Sequence, residues 1–176
     1  MTLYFITGNK GKLKEVQAII PEVEQIELDL PEIQELDAKK IIEEKLREAV
    51  KKHEGEFFCE DTSVYINCLG GLPGPLIKWF LKSIGDRGIW ELVRDKKDRS
   101  ARAVTCIGYS DGKKIEFFEG EIKGEICEPK GSEGFGWDKI FQPSGYEKSL
   151  GEMSREEKNK ISMRKIALEK LRSYLS

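Results

Sequence analysis

The sequence holds a single histidine, His53, and its four cysteines (Cys59, Cys68, Cys106, Cys127) stand alone, with no C-x-x-C pair. That scarcity argues against a zinc centre. The cysteines read instead as small buried hydrophobes, and a chain of 176 residues needs no disulfide to fold. There is no excess of either charge. Thirty Lys+Arg face 32 Asp+Glu, a formal charge of -2 that lacks the basic surplus drawing proteins to nucleic-acid phosphates, so no polymer partner is expected. No apolar run is long enough to span a bilayer, and Leu3-Tyr4-Phe5-Ile6 follows Met1 without a basic leader, so the expected location is the cytoplasm, away from membranes. Repeats, low-complexity tracts and Pro/Ser-rich linkers are also missing, so residues 1–176 are read as one domain, with 39% hydrophobic residues to fill its core.

What is present alternates between strand and helix signals. Leu3 to Thr7 is an apolar run ending at Gly8-Asn9, followed by a helical pattern (Leu13, Val16, Ile19, Ile20) that stops at Pro21. Ile26 to Leu30 reads as a second strand, Asp37 caps a helix through Lys52, and Phe57 to Cys59 form a compact buried strand. The loop at Gly70 to Pro75 precedes two short helices, Ile77 to Leu81 and Gly88 to Arg94. From Ala101 to Cys127 the chain is rich in β-formers and broken by Asp111-Gly112, a hairpin signal. A strand at Ile140-Phe141 comes before a last helix opened by the capping box Ser154-x-x-Glu157. The expected fold is α/β, a mixed parallel and antiparallel sheet flanked by helices.

Four segments could carry chemistry, each with a plainer alternative. Thr7-Gly8-Asn9-Lys10-Gly11-Lys12 joins a strand to a helix, offering backbone N–H groups, a helix N-terminus and two ammonium groups to a triphosphate; otherwise it is a turn capped by Asn9 with solvated lysines. It lacks Walker A spacing. Glu60-Asp61-Thr62 ends a buried strand, where Asp61 with Glu32 from the Leu30-Pro31-Glu32 loop suffices for Mg²⁺, which takes one or two carboxylates and fills the rest with water and phosphate oxygens; otherwise it is a solvated acidic turn. Lys45 falls on the inward side of its helix, and Lys158, Ile161, Arg164, Leu168 and Leu171 share a stripe if the last helix is continuous. Such cations either meet an anion or snorkel to water. Phe135-Gly136-Trp137-Asp138 combines close backbone approach, aromatic stacking and a carboxylate that can accept from a purine N–H, or else it is packing.

In their joint order these segments resemble the inosine triphosphate pyrophosphatase family, which hydrolyses ITP, dITP and XTP. The likeness runs nearly end to end: Thr7-Gly8-Asn9-x-x-Lys12-Leu13, Leu30 to Gln34, Glu60-Asp61-Thr62, Leu69 to Gly74, Ile77 to Phe80, Phe135 to Asp138, and Glu157-Lys158-Asn159. The resemblance implies that Thr7 to Lys12 hold the triphosphate, that Glu32 and Asp61 serve the metal, and that Lys45, Thr62, Lys78 and Lys158 contact phosphates or sugar. It also implies a base stacked on Phe135, an elongated fold of two lobes with a groove between them, and a homodimer. The chain departs from the family at Ser162-Met163-Arg164, where relatives commonly read Ser-His-Arg, and Met163 donates no strong hydrogen bond at the base end.

The implied reaction is attack of water on the α-phosphorus, with Asp61 as general base or metal-bound organiser. Arg164 would donate to the 6-oxo group of the purine and has no acceptor for the 6-amino group of adenine. Rival readings are a regulatory module that binds nucleotide without cutting it and a pyrophosphatase with looser base selection because of Met163.

Overall fold

The computed structural model describes residues 2–176. The strands are β1 (Leu3–Ile6), β2 (Glu24–Ile26), β3 (Glu56–Ile66), β4 (Pro73–Gly74), β5 (Ser100–Ser110), β6 (Ile115–Ile126) and β7 (Phe141–Pro143). The helices are α1 (Lys10–Gln17), α2 (Ala38–Lys52), α3 (Ile77–Val93), α4 (Arg155–Lys160) and α5 (Met163–Leu175). The seven strands form one sheet in the order β2-β1-β3-β5-β6-β7, with β4 paired to β3. β1 runs parallel to β2 and β3, whereas β4 and β7 pair antiparallel with β3 and β6. The mixed sheet with flanking helices is the architecture expected from the sequence.

The chain divides into two compact units. The first holds the residues up to Asp61 with Thr105–Gly120 and Arg164–Ser176, and the second holds Thr62–Val104 and Glu121–Met163. Within the first, strand alternation decides what each helix covers. Leu3, Phe5 and Phe58 face α1 and α5, packing on Val16, Ala167, Leu168 and Leu171. The rings of Phe5 and Phe58 stack with centroids 4.7 Å apart. Tyr4, Ile6, Phe57 and Cys59 face the other way, onto Ala38, Ile42, Leu46 and Ala49 of α2. Both faces of these strands are thus covered, which is why Phe57-Phe58-Cys59 reads as continuous rather than alternating. The second unit has its own core, in which Val64, Ile66, Ile89, Val93, Ala103, Trp137 and Phe141 come together.

Five elements differ from the sequence reading. β3 runs for 11 residues, so Glu60, Asp61 and Thr62 lie mid-strand rather than at its end. The second strand lies at Glu24–Ile26 instead of Ile26 to Leu30, because β1 is only four residues long and offers three partners before the chain turns away at Gly8. The strand expected at Ile140-Phe141 is Phe141–Pro143, with Ile140 in a preceding 3₁₀ turn. The last helix is broken: Ile161 (φ -120°, ψ 13°) leaves helical geometry, and both Ile161 and Met163 pack against the second unit's core. Lys158 and Arg164 therefore belong to different helices and share no stripe. The two short helices merge into α3 across Gly85, whose φ of 70° and ψ of 179° interrupt it.

Candidate active site

Asn9 decides the conformation of the loop between β1 and α1. Its extended backbone and side-chain oxygen form an N-cap that accepts from Gly11 N at 2.9 Å and Lys12 N at 3.1 Å, while its own N–H donates to Thr7 Oγ1 at 3.0 Å. The cap satisfies two of the amides that the sequence reading offered to an anion. What the loop presents is a recess of about 300 Å³ in the first unit, lined among others by Thr7, Gly8, Glu32, Lys45, Cys59 and Glu60. That volume is at the low end for whole-ligand pockets, which run from about 300 to 1,000 Å³. Lys45 is inward-facing as expected, with its side chain 18% exposed and its Nζ 3.2 Å from Glu32 Oε1.

The adjacent acids of β3 separate because successive side chains of a strand leave by opposite faces. Glu60 takes the face of Phe58, toward α1 and α5, where its side chain is 3% exposed. There it meets Lys12 Nζ at 2.9 Å and accepts from Arg164 Nε at 2.9 and 3.0 Å, while Arg164 Nη1 donates to Glu15. Burial alone pushes the Glu60 carboxyl up, but Lys12 and Arg164 outweigh it and hold the group below its usual range. Arg164 is the mirror case: burial favours its neutral form, yet Glu60 and Glu15 raise its pKa.

Asp61 follows Cys59 by two residues and so takes the α2 face, that of Lys45. Its charge is felt at the buried Cys59 thiol together with those of Lys45, Glu60 and Lys12, and burial drives that thiol up to about 12. Among the described residues no three His, Cys, Asp or Glu groups gather tightly enough to enclose an ion. Glu32, 52% exposed, lines the recess, and Asp61 takes the same face of β3 as Cys59, which also lines it; a hard cation needs only one or two such carboxylates, its remaining positions going to water and phosphate oxygens.

In the second unit a separate cluster gathers around Asp138. Its Oδ2 accepts from Lys158 Nζ at 2.6 Å and from Phe135 N at 3.0 Å. Gly134, at φ +77°, leaves room for it, since a Cβ there would lie 2.1 Å from that oxygen. Phe135 stands 70% exposed at the loop tip, with Gly136 (φ +64°) beside it. Trp137 points inward, edge-on to Phe141 with centroids 5.5 Å apart, so its ring belongs to the core rather than to a base-stacking surface. Met163 likewise packs on that core. Lys78 lies in the first turn of α3 with its Nζ 5.5 Å from the Trp79 ring centroid, and Thr62 heads the second unit's part of β3.

Sequence reasoning missed Glu60 as a partner of Lys12, as well as Glu15. Phe57-Phe58-Cys59 is apolar on both faces and does not show where the strand ends, so nothing local tells which face each acid takes. Glu15, three residues after Lys12, lies on the same side of α1.

The Ham1 family matches residues 3–174. An inosine triphosphate pyrophosphatase of Schizosaccharomyces pombe is 40% identical over 179 residues, covering 99% of this chain and 95% of the relative. One from Pyricularia oryzae is 45% identical over 180 residues, covering 99% and 94%. Among solved structures, a HAM1 protein from Coxiella burnetii superposes with a TM-score of 0.87 at 27% identity over 98% of this chain and 97% of its own. A family model matched along nearly the whole length and relatives 40% and 45% identical over almost all of it lead to one conclusion: the chain belongs to the Ham1 family.

Proposed function

We propose that the protein hydrolyses nonstandard purine nucleoside triphosphates (ITP, dITP and XTP) to the monophosphate and pyrophosphate, clearing damaged purines from the cytoplasmic nucleotide pool. The observation that carries this reading is the recess where Thr7, Gly8 and Lys45 meet Glu32, with Asp61 on the same face of β3 as Lys45. Cations alone would serve binding; carboxylates beside phosphates call for a metal and for chemistry. The relatives named inosine triphosphate pyrophosphatase support the same substrate class.

Thr7 to Lys12, Lys45, Thr62 and Lys78 take the phosphates and sugar. Phe135 and Gly136 take the base, and Asp138 and Lys158 hold the Phe135 loop in place. Glu32 and Asp61 hold Mg²⁺, which supplies Lewis-acid neutralisation of the triphosphate when bound. Asp61 accepts a proton from the attacking water. A new bond forms from that oxygen to the α-phosphorus, and the bond from the α-phosphorus to the bridging oxygen breaks. Pyrophosphate leaves with the bridging oxygen. Lys12 and Lys45 offset the charge that builds on the departing group, so positioning and neutralisation perform the work without a Ser/His nucleophile pair.

Preference for a 6-oxo purine is assigned to Arg164. Glu60 and Glu15 hold its Nε and Nη1, and Nη2 is the donor offered to O6, where adenine presents a donor of its own. Met163 in place of a hydrogen-bonding side chain leaves this selection to fewer groups. The working assembly is a homodimer, a point for sedimentation.

The deciding experiment incubates the protein with ITP, dITP, XTP, GTP, ATP and UTP, with Mg²⁺ or with chelator, and scores monophosphate and pyrophosphate. Release of pyrophosphate from ITP and XTP, with ATP and UTP spared, is expected. Binding without turnover would favour the regulatory-module reading instead.

A further inference from the structure

We propose that Glu60 is a positioning residue: one buried carboxylate fixes Lys12 at the phosphate loop and Arg164 on α5, and takes no part in the water activation assigned to its neighbour Asp61. The inference rests on the reading of the recess as a triphosphate site. Its ground is the division of labour imposed by the strand. Glu60 shares the face of Phe58, and its carboxylate is occupied by protein cations, with Lys12 Nζ at 2.9 Å and Arg164 Nε at 2.9 Å. Asp61 lies on the other face, with Lys45.

Lys12 needs such a partner. It sits in the first turn of α1, where the helix dipole already presents positive charge, and its four-carbon stem is flexible unless held. Glu60 offsets the local repulsion and keeps the ammonium group in one place before the substrate arrives. Lys12, Arg164, Glu15 and Glu60 together form a neutral quartet. Replacing Glu60 by Gln therefore has two opposite effects on an incoming polyphosphate: the quartet gains a positive charge, which attracts the ligand, and Lys12 loses its aim, which weakens binding. Positioning requires the second effect to win.

The test is a double-mutant cycle read as affinity for inorganic tripolyphosphate by calorimetry, in wild type, Glu60→Gln, Lys12→Met and the double variant. Glu60→Gln is expected to raise Kd about tenfold, and the double variant to match Lys12→Met within about twofold, because Glu60 acts through Lys12. With ITP, the KM of Glu60→Gln should rise while kcat stays within about threefold, the pattern of lost uniform binding. Multiplying effects in the cycle would overturn the proposal. So would tighter binding by Glu60→Gln, or a kcat collapse like that of Asp61→Asn with Kd unchanged. If Glu60→Gln does not fold by circular dichroism, Glu60→Asp, which keeps the charge on a shorter stem, carries the same cycle with the same criteria. Wild-type turnover of ITP decides the parent reading separately. A protein that binds tripolyphosphate without cutting ITP sinks that reading while the cycle still decides the role of Glu60, and one that does neither sinks both.

Discussion

Lys158 Nζ and the Phe135 amide converge on a single oxygen of Asp138, at 2.6 and 3.0 Å. The Phe135 loop is thus tied to α4 through one carboxylate that is itself buried. Asp138→Ala removes both bonds at once, leaving the Phe135 N–H without its acceptor. It should lower stability by roughly 1–3 kcal/mol and raise the KM for ITP more than it lowers kcat. Asp138→Asn keeps an acceptor and should lose less. Urea midpoints and steady-state kinetics on both variants check this, and equal losses would show that the carboxylate charge, not the loop anchor, is what matters.

Asp61 is assigned the proton from water, and a general base of this kind typically contributes 10²–10⁴-fold. Asp61→Asn is isosteric and stays on the α2 face of β3. It should reduce kcat with ITP by about that factor while the melting temperature moves little. A variant retaining near wild-type turnover would remove Asp61 from the chemistry.

These two predictions draw unequally on the sequence. The capped loop at Thr7 to Lys12, the inward Lys45 and the helix starting after Asp37 were all legible, because capping and 3.6-residue periodicity are local properties. The Asp61 face was not, since Phe57-Phe58-Cys59 is apolar on both sides and its period reveals neither where the strand ends nor which acid goes which way. The Lys12–Glu60–Arg164 cluster joins residues 104 apart in sequence in the Glu60–Arg164 pair, and no local signal encodes such a contact. For Trp137 the sequence leaves base contact and packing both open, because a Gly-rich loop lets an aromatic ring point either way; its packing on Phe141 reflects a core that only the folded chain assembles.

The cysteines differ in what burial does to them. Cys59 and Cys106 are buried, and burial pushes both thiols up to about 12; Cys127 is buried and raised as well. Only the thiolate reacts. Iodoacetamide at neutral pH should therefore label Cys68, which is partly exposed, well before the other three. Peptide mass spectrometry over time reads the order directly, and early labelling of Cys59 would mean that the recess opens far more than the packing of β3 on α2 allows.

Glu60 also makes acid stability a local question. Its folded pKa lies below the ordinary 4.5, so its contribution is fully present above that value and is lost as pH falls through the folded pKa, where the native carboxyl too takes a proton. Removing the charge leaves Arg164, 11% exposed, with Glu15 as its remaining carboxylate partner, and stranding a buried cation in this way costs up to about 3–5 kcal/mol. Wild type should thus be more stable than Glu60→Gln at neutral pH, and the gap should close as the solution is acidified below 4.5. Other carboxyls with lowered pKa values, such as Glu157 and Asp111, are exposed and common to both proteins, so they cancel in the comparison. Urea unfolding of the pair at stepped pH measures the gap. A difference that stays constant into acid would mean that Glu60 contributes shape and hydrogen bonding there rather than charge.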